Sequence, residues 1–286
     1  MPAIDLVLPT VDRNEEPARF MRALDSQTFR DFRLIVVDQN RDDRLVPILV
    51  RFERAFPIVH LRTERGLSRA RNIALERIEA DVIAFPDDDC WYPPDLLEHV
   101  ASFLAGHPHW DGVGGRAIDE VGRPAAGQFD VQASAMTILN IWRRVATYTL
   151  FLRRRLIEAV ESFDETLGPG SRTGWGGAED IDYVARGLRA GCSVYYDPTL
   201  KIHHPQRREQ SSHPDVRQGY EYGAGFGRTL RKNRLPWWFA GYCFARSFGA
   251  SALSLLTGNP RHSRFFWAVG RGRMHGWWSG PGDKDR

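Results

Sequence analysis

Cysteine is scarce. The 286 residues include three, Cys90, Cys192 and Cys243, far apart and with no Cys-x-x-Cys pair among them. That spacing argues against a structural zinc site or a disulfide framework and fits a reducing compartment. The opening residues Met1-Pro2-Ala3-Ile4-Asp5 also lack a basic stretch followed by an apolar run. No signal peptide is therefore expected, and the cytoplasm is the default location. The chain has no internal repeat and no low-complexity tract. With 42% hydrophobic and 26% charged residues, its composition excludes disordered and collagen-like classes. Net charge is small, with 39 Lys and Arg against 36 Asp and Glu. The length suits one large domain, or one domain with an appendage.

The near-zero balance conceals an asymmetry. Residues 1–200 carry 24 basic and 31 acidic side chains, whereas residues 201–286 carry 15 basic and 5 acidic ones. Five of the nine tryptophans also fall in that last stretch. Two regions with different surroundings are implied.

Over the first ninety residues, strand and helix patterns alternate. Ile4-Asp5-Leu6-Val7-Leu8, Phe32-Arg33-Leu34-Ile35-Val36-Val37, Ile58-Val59-His60-Leu61 and Val82-Ile83-Ala84-Phe85 read as strands. Residues 15–26, 44–55 and 67–78 read as helices between them. Such βα units predict an α/β fold with a mostly parallel central sheet and helices on both faces. A further helix is expected over residues 93–104, opened by prolines in its first turn. Residues 111–131 are Gly-rich with β-like pieces, 148–152 suggest a strand, and 163–177 form a glycine-rich loop. A helix over 179–189 and strands at 193–196 and 200–203 complete the sheet domain near residue 205.

In an open α/β sheet, ligands bind beyond the carboxyl ends of the strands. The second strand delivers Asp38 there and the fourth delivers Asp87-Asp88-Asp89. Three adjacent carboxylates repel one another and call for a cation, and oxygen ligands suit Mg²⁺ or Mn²⁺. The plainer alternative is a solvated acidic turn ahead of the helix at Pro93. A second constellation is Trp175-Gly176-Gly177-Ala178-Glu179-Asp180-Ile181-Asp182, where acids occupy a first helical turn favoured by the helix dipole. First-turn acids are common without any catalytic role, but an exposed tryptophan beside a glycine loop is a physical platform for stacking a sugar. His203-His204 ends the last strand, either as surface residues or as a neutral imidazole returning to a carboxylate-bound metal.

Together these residues resemble family 2 glycosyltransferases, inverting enzymes of the GT-A fold, over about residues 3–205. The resemblance rests on Leu8-Pro9-Thr10, Gln27-Thr28, Val36-Val37-Asp38 and Arg65-Gly66-Leu67-Ser68-Arg69-Ala70-Arg71-Asn72. The acidic run before Trp91 and Pro93, and Trp175-Gly176-Gly177-Ala178-Glu179-Asp180, complete it. It implies a nucleoside-diphosphate-sugar donor, UDP- or dTDP-linked by preference. Pro9, Thr10 and Asp38 would line the base pocket, and Arg69 or Arg71, with Ser68 as a lesser candidate, would approach the diphosphate. The metal motif maps to Asp87-Asp88-Asp89, with Pro86 where many relatives have a first Asp. Asp87 is grouped with the donor contacts, and Asp88 and Asp89 are the expected ligands, completed by His204. Asp180 matches the catalytic base, while Trp175, Gly176 and Glu179 are the expected acceptor contacts. The implied activity extends a cell-surface polysaccharide or lipid-linked glycan.

The rest, residues 206–286, reads as a basic, aromatic, helical extension. Gly223, Gly225 and Gly227 precede Arg228, Arg231, Lys232 and Arg234, and residues 237–256 are mostly apolar around Arg246. Twenty residues are just long enough to span a bilayer, but a central arginine costs roughly 2.5–3.5 kcal/mol on insertion scales. Three readings compete: helices packed on the domain, a membrane-interface anchor through 228–278, or a nucleic-acid surface. The acidic sheet edge argues against nucleic acid. Membrane contact would place the enzyme at the inner face of the cell membrane. Two rival functions stand beside the transferase. A sugar-phosphate nucleotidyltransferase would want a basic Gly-rich loop where Thr10-Val11-Asp12-Arg13-Asn14-Glu15 stands. A non-catalytic, ion-dependent glycan-binding module would leave Asp38 and Asp180 without purpose.

Overall fold

The computed structural model describes residues 3–125, 129–206 and 215–279. Met1 and Pro2, residues 126–128 of the Gly-rich stretch, and 207–214 just past the expected domain end lie outside the described residues. The chain divides into two compact units. The first comprises residues 1–65, 69–163 and 183–206; the second comprises 66–68, 164–182 and 207–286. The second unit thus takes in the glycine-rich loop as well as the basic extension.

The first unit is built on one sheet of eight strands among the described residues, in the order β3-β2-β1-β4-β7-β5-β8-β6. β1 (Ile4–Thr10), β2 (Phe32–Asp38), β3 (Ile58–Arg62) and β4 (Val82–Ala84) are mutually parallel where they pair. β1 is buried at all seven positions, as a parallel strand covered on both faces must be. Ile4, Leu6 and Leu8 pack in one core with Phe20, Met21 and Leu24 of α1 (Glu15–Asp25), and with Leu97 and Val100 of α4 (Leu96–Gly106). α2 (Val46–Phe52) adds Leu49 and Phe52 to that core. On the opposite face Phe163 stacks on Tyr183, and Phe85 meets both rings edge-on. α3 (Leu67–Leu75) and α6 (Glu179–Arg189) each begin in the second unit and continue into this one.

The second half of the sheet is mixed. β7 (Leu150–Arg153) runs antiparallel between β4 and β5 (Gly112–Ile118), and is followed directly by α5 (Arg154–Val160). β6 (Ser134–Ala135) pairs antiparallel with β8 (Val194–His203). β8 is one strand where the sequence reads as two. Its pairing with β5 slips where Gly114 faces Tyr196 but Arg116 faces Lys201. That bulge accommodates Pro198, which has no N–H to give a ladder.

The second unit contains three long helices, α7 (Val216–Lys232), α8 (Trp237–Leu256) and α9 (Pro260–Trp278). α7 and α9 run side by side in backbone contact. A Cβ at Gly223 would sit 2.3 Å from the Val269 carbonyl oxygen, and one at Gly227 would sit 2.0 Å from that of Arg273. Reciprocally, a Cβ at Gly272 would lie 2.2 Å from the Tyr220 oxygen, and at Gly276 1.9 Å from that of Ala224. Small residues spaced by four let helix backbones approach this closely. Gly225 points elsewhere, against the Gly177 carbonyl of the glycine-rich loop. α8 joins through Ala240, Cys243, Ser247 and Ser251. Arg273 of α9 donates to the Cys243 carbonyl at 2.7 Å and to Ser247 Oγ at 2.8 Å.

Candidate active site

Three neighbouring strands end together. Thr10 closes β1 opposite Asp38, which closes β2, and the chain leaves β4 through Phe85 and Pro86 into Asp87-Asp88-Asp89. The acidic loop is pinned by a pair of backbone hydrogen bonds between Trp91 and His203, both 3.0 Å. Their rings stack at 5.1 Å, with the Arg19 guanidinium 3.9 Å above Trp91. Arg19 also donates to the Asp89 carbonyl at 2.8 Å. These contacts bring His204, the first residue beyond β8, against Asp89.

His204 Nε2 lies 3.2 Å from Asp89 Oδ1. Its Nδ1 donates to the Pro205 carbonyl at 2.9 Å, and its ring stacks on Tyr148 at 4.9 Å. A backbone acceptor on Nδ1 leaves Nε2 to face the carboxylates, the tautomer a metal-binding imidazole needs. One ligand atom each from Asp87, Asp89 and His204 falls within 4.8 Å of the others. Two carboxylates and an imidazole at that spacing fit a divalent cation such as Mn²⁺ or Mg²⁺.

The electrostatics describe the same crowding. Burial pushes Asp87 up to about 6; Arg71 opposes this and Asp89 adds to it. Burial would also raise Asp89, but the hydrogen bond and charge of His204, with Arg13, hold it at about 2. Burial would lower His204, yet Asp89 raises it. Protons thus relieve a site where a cation would serve the same purpose.

Asp88 has different partners. Its Oδ2 accepts from Thr10 Oγ1 at 2.6 Å and its Oδ1 from Arg13 at 2.5 Å. Arg13 reaches on to Asp89 Oδ2 at 2.8 Å. Asp88 therefore ties the end of β1 to the loop after β4, and the structure groups Asp87, not Asp88, with Asp89 and His204. Asp38 is fully buried, accepting from the Asn40 backbone and side-chain nitrogens, both at 2.8 Å. His60 Nε2 lies 3.1 Å from its second oxygen. Arg71 is buried, donates to Thr147 Oγ1 at 2.9 Å and lies 3.4 Å from Asp87 Oδ1. Arg69 is more exposed and pairs with Glu64 at 3.3 Å. Pro9, next to last in β1, is buried.

The remaining expected residues lie in the second unit. Trp175 corrects the expectation of an exposed stacking platform. It is 6% exposed, packs with Leu167 and Ala224, and carries the Arg228 guanidinium 4.7 Å from its ring. A small three-helix unit with glycine seams has few large side chains for a core, and Trp175 is one of them. Glu179 is also buried. The Gly176 N–H donates to the Glu221 carbonyl of α7 at 3.0 Å. Asp180 is half-buried at the start of α6, and one of its oxygens accepts the Ile181 N–H at 2.7 Å. Ser68 is buried and donates to the Leu167 carbonyl at 2.9 Å.

Residues 5–159 match the family described as "Glycosyl transferase family 2", more than half of the chain. The chain belongs to that family. Among curated relatives, glycosyltransferase AglE of Haloferax volcanii is 26% identical over 216 residues, 72% of this chain and 68% of that protein. The poly(ribitol-phosphate) beta-N-acetylglucosaminyltransferase TarS of Staphylococcus aureus is 25% identical over 49% of this chain, but only 25% of its own length is matched. The crystal structure of TarS 1–349 superposes with a TM-score of 0.63 at 18% identity, covering 93% of this chain and 80% of that one. The mannosyltransferase PcManGT of Pyrobaculum calidifontis, solved with GDP-Man and Mn²⁺, gives 0.64 at 16%, covering 97% and 87%. This family 2 transferase therefore has a GT-A fold.

Sequence reasoning missed several residues of this glycosyltransferase's site. Arg13 stood in a polar loop and gave no sign of bridging two acids. His60 and Tyr148 lie within or beside strands, where alternation shows which face a residue shares but not which carboxylate or ring it meets. The Trp91–His203 pairing joins segments far apart in the chain, and no local pattern marks it.

Proposed function

We propose that this family 2 glycosyltransferase is a metal-dependent, inverting enzyme. It moves a sugar from a nucleoside-diphosphate donor to a hydroxyl of a glycan or lipid-linked acceptor, in cell-surface polysaccharide synthesis. The observation that carries the proposal is the trio Asp87, Asp89 and His204 at the carboxyl edge of the sheet. These three residues would hold Mn²⁺ or Mg²⁺, whose charge would offset that developing on the departing nucleoside diphosphate. Thr10 keeps Asp88 in place and Arg13 spans Asp88 and Asp89, so the ligand loop is preorganised.

Asp38, with Pro9 and Thr10 at the adjoining strand end, receives the base. Its carboxylate accepts an N–H of a pyrimidine, which favours UDP- or dTDP-linked donors. The solved complexes of TarS with UDP and with UDP-GlcNAc are in keeping with this preference, while PcManGT holds GDP-Man. Arg71, beside Asp87, and Arg69 supply positive charge toward the diphosphate.

Asp180 acts as the base. As the acceptor oxygen bonds to the anomeric carbon, its proton passes to the Asp180 carboxylate. The bond from that carbon to the phosphate oxygen breaks, and the electron pair leaves with the nucleoside diphosphate. A single displacement inverts the anomeric centre without a covalent sugar–enzyme intermediate. Because Trp175 packs into a core with Leu167 and Ala224, acceptor contact is assigned to the chain around Gly176 and Asp180. The enzyme works in the cytoplasm, at the inner face of the membrane.

The test is calorimetric binding of UDP, dTDP, GDP and CMP with and without Mn²⁺, on the wild type and on Asp180→Asn. Metal-dependent binding of one nucleoside diphosphate is expected in both proteins. Transfer should fall by about 10²–10⁴-fold in the variant, the usual worth of a positioned base. Undiminished turnover by Asp180→Asn removes it from the role, and no nucleotide binding with metal present overturns the donor site.

A further inference from the structure

α8 is turned inside out. The stripe it buries is Ala240, Cys243, Ser247 and Ser251, small or polar residues. On the opposite side, at 100° per residue, lie Trp238, Tyr242, Ala245, Gly249, Ala252, Leu253 and Leu256, a band without a charge along the whole helix. All seven are exposed, and Leu253 and Leu256 are 63% and 84% exposed. A contiguous apolar face of this kind is unusual on a soluble surface and marks an interaction site.

The band continues into a groove between the three helices, of about 950 Å³. Phe248, Ala252 and Ala268 line it with Leu255 and Trp267, both more than half exposed, and Arg264 and Arg271 stand at its edge. Along the two helices that carry most of this surface the charge has one sign: α8 and α9 contain five arginines and no Asp or Glu, while Arg217 of α7, also at the groove, is paired with Glu221.

We propose that this unit docks on the surface of an anionic phospholipid bilayer. The α8 face lies at the acyl–headgroup boundary, the groove takes up an acyl chain, and Arg264 and Arg271 meet lipid phosphates. Charge complementarity selects this occupant. A second copy of the same face would bring Arg246, Arg264 and Arg271, all exposed, against their own counterparts. A nucleic acid would use the cations but leave Leu253, Leu256 and Trp267 in water. The mode is lying on the membrane, not crossing it: among the described residues no helix is long and apolar enough to span, and Arg246 is exposed midway along α8. Interfacial helices of this composition bind through apolar area plus attraction to anionic headgroups.

The experiment is co-sedimentation of the full chain with vesicles of phosphatidylcholine alone or mixed with phosphatidylglycerol. The wild type should bind the mixed vesicles and bind the neutral ones more weakly. Leu253→Glu with Leu256→Glu should reduce binding to mixed vesicles by about tenfold or more, since two buried leucines are lost. Arg264→Gln with Arg271→Gln should remove most of the preference for phosphatidylglycerol. Val50→Glu, at an exposed apolar position of the first unit, should change nothing. Thermal melts verify that each variant is folded. The proposal is overturned if the wild type stays in the supernatant with both vesicles, or if the folded leucine variant binds as the wild type does. A dimer in gel filtration that the leucine variant converts to monomer, without vesicle binding, overturns it in favour of a second copy.

Discussion

Replacing Asp88 and Asp89 separately by alanine should produce opposite phenotypes, although the residues are adjacent. The Asp88 carboxylate is 10% exposed and is engaged by Thr10 at 2.6 Å and Arg13 at 2.5 Å. Asp88→Ala strands the fully buried Thr10 hydroxyl, which costs about 1–3 kcal/mol. Arg13 adds little, because its side chain is 41% exposed and still reaches Asp89 at 2.8 Å. For a chain of this size the loss lowers Tm by about 2–5 °C. Mn²⁺ affinity, carried by Asp87, Asp89 and His204, should fall by only about tenfold, the lower end of the loss from a supporting contact. Asp89→Ala removes a ligand and should weaken Mn²⁺ by about a hundredfold or more, beyond the usual loss from a supporting contact. The assay pairs thermal melts with calorimetric Mn²⁺ titration of each variant. If Asp88→Ala abolishes Mn²⁺ binding while melting as the wild type does, Asp88 is the ligand and the trio is wrongly assigned.

Gly276→Ala should destabilise the protein by about 3 kcal/mol, because the new Cβ would lie 1.9 Å from the Ala224 oxygen and 2.7 Å from the Arg228 nitrogen, both backbone atoms. Gly241→Ala, with nothing within 4 Å of its Cβ, should instead gain up to about 1 kcal/mol of helix propensity. Urea denaturation compares the two, and equal stabilities would refute the close α7–α9 seam. Acid should reduce the contribution of Lys232, which donates to Asp164 at 2.7 Å and to Asp182 at 2.9 Å. Burial alone would raise Asp164, but its hydrogen bond to Lys232, at 2.7 Å, and that to Thr166 hold it below the usual 3.8. A depressed carboxylate stabilises the fold above its unfolded value and loses that effect as pH falls through the folded one. Lys232→Met should therefore be less stable than the wild type at neutral pH, and the gap should narrow as pH drops below about 3.8. A gap that stays constant in acid melts would count against the pairing.

Much of the first unit was legible because its signals are local. Short β-branched runs closed by polar clusters placed β1 to β4 to within a few residues, and the alternation with helices implied parallel pairing. β5, β6 and α5 were not resolved as elements, since glycines and short lengths leave no period to read. In the basic extension, Gly223, Gly225 and Gly227 read as an array spaced by two. The structure uses a spacing of four, Gly219, Gly223 and Gly227, because residues four apart share a helix face.

By itself, the sequence determined that acids would gather where β2 and β4 end and that the last third would be helical and basic. Strand termination, residue chemistry and composition are properties of contiguous residues. Which carboxylates meet was decided only by tertiary structure. Asp87, Asp88 and Asp89 are chemically identical. Asp89 joins His204 because Trp91 pairs with His203 across the sheet, and Asp88 is drawn off by Thr10 and Arg13. The fate of Trp175 was settled in the same way. A tryptophan beside glycines can stack on a sugar or fill a core, and the packing of Leu167, Ala224 and Arg228 around it selected the core.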